Sequence, residues 1–142
     1  GEPDLEAAEQ LAREALRTWR LERLCIDATG LGLGIAERLA RDYGSAIEPF
    51  VFTAQSKSEL GYALVTAAEL GTLALYADDG SRESAAVRQE LRDCAAEYGP
   101  GRQLRWHAAR GHDDYAVSLA LCLRAANAAG APRLARGRKV EC

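Results

Sequence analysis

The chain encodes a layered α/β domain with a largely parallel sheet. Three observations predict this class. Short apolar runs alternate with segments of helical periodicity, Gly-rich or Asp-Gly turns divide them, and carboxylates fall at strand ends and helix starts.

Leu5, Ala8, Leu11, Ala12, Ala15, Leu16 and Trp19 recur at helical spacing behind Pro3-Asp4, a helix start signal. Residues 24–26 read as a short strand that turns through Gly30, Gly32 and Gly34. A helix through Ile35, Ala36 and Leu39 ends near Tyr43-Gly44. Residues 47–52 form a second strand, in which Pro49 marks a bulge or an edge position. Ser56-Lys57-Ser58-Glu59 matches a capping box, and the helix it opens carries Leu60, Leu64, Ala67, Ala68 and Leu70 before stopping at Gly71.

Residues 72–76 read as a third strand, closed by Asp78-Asp79-Gly80. Val87, Leu91, Cys94, Ala95 and Tyr98 mark a helix that ends before Gly99-Pro100-Gly101. Leu104, Trp106 and Ala108 alternate as a strand. The last helix, from about Asp113 to Ala128, is apolar on nearly every side, which predicts burial. With no repeat or linker, residues 1–130 form one domain and residues 131–142 a basic tail containing Arg133, Arg136, Arg138 and Lys139.

At 142 residues, 48% of them hydrophobic, the chain is long enough for a real core. Its net charge of −3 excludes a global polyanion-binding character. Cysteines 25, 94, 122 and 142 lack CxxC spacing and read as reduced thiols of a cytosolic protein, not as a disulfide framework or metal cluster. No apolar run reaches the roughly 20 residues of a membrane span, and the N-terminus has no signal-peptide pattern.

Asp27 follows an apolar strand, so its carboxylate should sit at the C-terminal edge of the sheet, where α/β folds place ligands. The structural alternative is that Asp27 caps the turn that follows. The glycines at 30, 32 and 34 lack both the P-loop ending and the dinucleotide spacing, so they are a weak nucleotide motif. His112-Asp113-Asp114 is sharper. Capping explains one carboxylate in a first helical turn, but not two beside a histidine. A hard divalent cation would relieve their repulsion. The simpler alternative is a solvated helix start. Asp78-Asp79-Gly80 reads as turn chemistry.

Four segments occur in a telling order: Asp27-Ala-Thr-Gly-Leu-Gly after an apolar strand, Lys57 in Ser-Lys-Ser, Gly-Thr-Leu-Ala-Leu-Tyr, and Gly-His-Asp-Asp-Tyr-Ala-Val-Ser-Leu-Ala-Leu. Over most of residues 5–128 the chain resembles the C-terminal nuclease domain of the large terminase subunit of tailed bacteriophages, within the RNase H-like superfamily. The resemblance implies an RNase H-like layered sheet flanked by helices, incomplete at its N-terminal edge. The family's opening antiparallel strands, which carry its first metal aspartate, have no counterpart here, and Asp4 and Glu6 are poor substitutes.

The activity so implied is metal-dependent endonucleolytic cleavage of concatemeric DNA during genome packaging, with two Mg²⁺ or Mn²⁺ ions. The resemblance makes Asp27 and Asp114 metal ligands, with Asp113 an alternate ligand and His112 a proton-transfer neighbour. Lys57, Arg110 and the tail cations Arg133, Arg136, Arg138 and Lys139 would meet DNA phosphates, the alternative for the tail being a disordered, solvated terminus. The partners implied are double-stranded DNA, the terminase ATPase domain, the portal and the small terminase subunit, in the cytoplasm of a bacterial host. With so few acids, cleavage by this chain alone should be weak or absent. The alternatives are a non-catalytic nuclease fold that docks DNA or assembles the packaging motor, and a nucleotide-binding domain using the glycines at 30–34. An exposed sheet edge invites homo-oligomers.

Overall fold

A computed structural model describes residues 4–109 and 111–129, so Arg110 and the tail cations lie outside the described residues. The first half is built as expected. Asp4 accepts from the Ala7 N–H at 3.0 Å and caps α1 (Leu5–Thr18). β1 (Leu24–Asp27) pairs in parallel with β2 (Ile47–Phe50), and α2 (Gly32–Tyr43) makes the crossover. Pro49 sits opposite Ile26 in unbroken register, so it marks an edge and not a bulge.

The pair separates two cores. Leu24 and Ile26 face Leu16, Ile35, Leu39 and Ile47 beneath α1 and α2. Cys25 faces the other way, toward Phe50, Leu60, Trp106 and Leu121. Burial, reinforced by Glu48, pushes the Cys25 thiol up to about 11, so it stays protonated at neutral pH. Cys25, Cys94 and Cys122 are all free thiols.

α3 (Ala54–Glu69) begins earlier than the sequence suggests. Thr53 is the N-cap, and Thr53 and Ser56 bond reciprocally at 3.0 and 2.8 Å, so the capping box lies three residues upstream of Ser56–Glu59. The Thr29 hydroxyl fixes this start by accepting the Phe52 N–H at 2.9 Å.

Four further expectations are corrected. Residues 72–76 are not a strand: the Thr72 and Leu73 N–H groups return to the Ala67 carbonyl, and Arg88 takes the Tyr76 carbonyl at 2.8 Å. With those groups satisfied locally, the segment gains little from pairing. The helix predicted to reach Tyr98 ends sooner, as α4 (Arg82–Asp93), and Cys94–Tyr98 form β3. β3 pairs antiparallel with β4 (Leu104–Ala108), setting Ala96 opposite Trp106. Helical spacing of small residues here yields to cross-strand packing. Instead of one layered sheet, the described residues form two two-stranded sheets, one parallel and one antiparallel. An α/β class holds at that coarser level. Finally, α5 (Asp114–Ala129) buries only the stripe Ala116, Ala120, Leu121 and Ala125 and is not enclosed all round.

Asp78-Asp79-Gly80 is turn chemistry, as expected. Asp78 accepts from the Gly80 N–H and the Ser84 hydroxyl, each at 3.0 Å, and Asp79 from the Ser81 N–H at 2.9 Å. These bonds hold both carboxyls below their ordinary 3.8, so their support for the start of α4 is complete above about pH 4 and lost as pH falls through the lowered values. Protection of the Gly80 and Ser81 amides, taken relative to the intrinsic exchange rate at each pH, should fall on acidification below pH 4. An unchanged protection profile would refute the role assigned to these bonds.

Candidate functional site

The residues singled out in the sequence fall at the end of β1 and at the starts of α3 and α5. Asp27 ends β1 opposite Phe50, exposed, and its Oδ1 accepts the Thr29 N–H at 2.8 Å. It therefore does the local turn work of the structural alternative, which leaves Oδ2 outside that bond. Gly30 takes a left-handed φ of 61° to complete the turn. Gly32 and Gly34 belong to α2, and a Cβ on Gly32 would overlap the Asp27 carbonyl oxygen. Close packing of α2 on the strand end accounts for that glycine without a nucleotide.

α3 leaves the same edge three residues after β2, and Lys57 lies in its first turn. The Lys57 ammonium stands 3.4 Å from Asp113 Oδ2 and 5.2 Å from the centre of the Trp106 ring. The Trp106 indole N–H donates to the Lys57 carbonyl at 2.6 Å. Lys57 thus ties the start of α3 to the start of α5. At the opposite end of the contact, Arg124 pairs with Glu48 at 2.6 Å and lies 4.9 Å from the Phe50 ring centre. Burial and the Asp113 carboxylate raise the Cys94 thiol above its ordinary value, with Lys57 opposing.

Sequence inspection missed Glu90. Its Oε2 accepts the Tyr115 N–H at 2.8 Å and the Ala116 N–H at 3.1 Å. Those are the two donors that an N-cap side chain at Asp113 would ordinarily serve. A carboxylate from α4 therefore caps α5, and the pair Asp113-Asp114 is relieved of that task. Nothing local in Gln89-Glu90-Leu91 marks the role, because the bond spans 25 residues.

His112 and Asp114 are exposed beside this turn. Among the described residues, no three His, Cys, Asp or Glu side chains form a group able to hold a metal ion. No described helix is long and apolar enough to cross a membrane. No family model matches the chain, and no curated protein or solved structure matches it.

Proposed function

We propose that the chain is a terminase-type nuclease domain of RNase H-like kind, a DNA endonuclease component acting on concatemeric phage DNA during packaging in the bacterial host. The observation that carries this reading is the pair Asp113-Asp114 at the start of α5, released from capping by Glu90, with Asp113 beside Lys57. Asp113 has the Lys57 ammonium as its charged partner, and Asp114, exposed and outside the capping bonds, is the carboxylate available to a cation. Double-stranded DNA, an ATPase domain, the portal and the small terminase subunit are the partners this reading names.

The two-metal centre of such enzymes does not fit the described residues as they stand. Asp113 faces an ammonium, Asp27 is engaged by a backbone N–H, and no three-ligand group is assembled. No catalytic step through a metal follows from this geometry. What the chain's own residues supply is acidity at Asp27, Asp113 and Asp114, and a cation at Lys57 to meet a phosphate. Cleavage of supercoiled plasmid in Mn²⁺ should therefore be weak or absent, and any nicking should disappear in Asp27→Asn and Asp114→Asn. Strong nicking that survives both substitutions would refute the reading.

The Asp113–Lys57 ion pair favours a second reading, a non-catalytic nuclease fold that docks DNA or assembles the packaging motor. It predicts no calorimetric Mn²⁺ binding and DNA affinity indifferent to Asp27→Asn and Asp114→Asn. A Mn²⁺ isotherm lost in Asp114→Asn would exclude it.

A further inference from the structure

Three hollows of about 180, 410 and 420 Å³ adjoin between α3 and the β3–β4 hairpin. The first and second share Gln103, and the second and third share Tyr62 and Arg102, so together they make one groove. It starts at Lys57, beside Asp113, and ends at the hairpin turn. From His107 to Gln103 it follows β4 for roughly 13 Å, long enough to meet more than one phosphate of an extended strand.

The groove's charge is opposite to the chain's. Arg102 and Arg105 line it against Glu59, and Lys57 at its start is shared with Asp113, whereas the whole chain carries −3. Its far end is aromatic. Tyr98 is 74% exposed and Tyr62 38%, with ring centres 6.4 Å apart and planes inclined at 38°. Rings so tilted do not stack on each other, which leaves a face open to solvent.

This end is also built firmly. The Tyr62 hydroxyl donates to the Arg102 carbonyl at 2.6 Å. Arg102 itself holds a left-handed φ of 62°, a conformation that costs a non-glycine residue stability. The Arg105 side chain lies over Gly99: a Cβ there would stand 3.3 Å from its Nε and 3.6 Å from its Cζ. Two guanidinium-bearing side chains therefore flank two exposed tyrosine rings on a fixed turn.

We propose that this groove binds an unpaired nucleic-acid strand, a base stacking on Tyr98 and Tyr62 while Arg102, Arg105 and Lys57 take successive phosphates. Aromatic faces accept any base, and the cations follow the backbone, so binding is tolerant of sequence and sensitive to salt. The inference rests on the DNA-processing reading above for the choice of DNA, and it names where a frayed or unpaired end of that substrate runs.

Fluorescence anisotropy of a labelled oligothymidylate with the full chain, in EDTA, tests it without any metal. Tyr98→Ala should weaken binding roughly fivefold to a hundredfold, and Tyr98→Phe should restore it. Arg102→Ala should lower the slope of log affinity against log salt by about 0.7. Binding of the matched duplex should be indifferent to Tyr98→Ala. At its exposure Tyr98 contributes little to the core, so an unchanged thermal midpoint accompanies the loss; if the midpoint falls, the Arg102→Ala slope decides. No oligothymidylate binding at low salt, or equal binding by wild type, Tyr98→Ala and Arg102→Ala, overturns the proposal. Oligonucleotide binding that persists in Asp114→Asn while Mn²⁺ binding is absent in every form would sink the nuclease reading and leave the groove standing.

Discussion

Trp106→Ala is expected to cost about 3–5 kcal/mol of stability, read as a lower midpoint in urea unfolding. The indole is 4% exposed and packs among Phe50, Leu60, Leu64 and Leu104, so truncation opens a large hole in the main core. It also strands the Lys57 carbonyl, which loses its 2.6 Å donor, and removes the ring facing the Lys57 ammonium. Gly61 shows how tightly the ring is seated: a Cβ there would stand 2.6 Å from the indole nitrogen. Trp106→Phe keeps most of the volume but not the hydrogen bond, and should lose about half as much stability. A loss below about 1 kcal/mol for Trp106→Ala would mean that the ring is not the centre of this core.

Glu90→Leu should cost about 2–3 kcal/mol, because one carboxylate accepts two N–H groups at the start of α5 and no other described side chain serves them. Glu90→Gln keeps an acceptor oxygen and should cost about 1 kcal/mol or less. The local signature is amide exchange: Tyr115 and Ala116 should lose protection in Glu90→Leu and keep most of it in Glu90→Gln. Retained protection in Glu90→Leu would return the capping role to Asp113 and remove the main support for its functional assignment.

Much of the first half was legible because its interactions are local. Asp4, the 3.6-residue apolar spacing of α1 and α2, and the β1–turn–α2 junction each declare themselves within a few residues. The start of α3 was displaced because two overlapping Ser/Thr patterns compete, and the distant Thr29–Phe52 bond favours Thr53. Residues 94–98 misled for a different reason. Val87, Leu91, Cys94 and Tyr98 satisfy a helical period, but Ala95 and Ala96 have no preference strong enough to resist pairing with β4. At the site, Asp27, Asp113 and Asp114 stood out as unusual carboxylates for their positions, and Lys57 by its place in a helix start. Glu90 did not, because the partners that give it a role are 25 and 26 residues away.

The amino-acid order alone determined the α/β class, the helix periodicities, the turn at Asp78-Asp79-Gly80 and the identity of the acidic residues, since each depends on contacts a few positions apart. Only the tertiary structure decided that the strands divide into a parallel pair and a separate hairpin, and that Glu90 caps α5 while Lys57 holds Asp113. Those outcomes turn on which distant groups meet, and a backbone donor bonds to whichever acceptor the packed chain brings within reach.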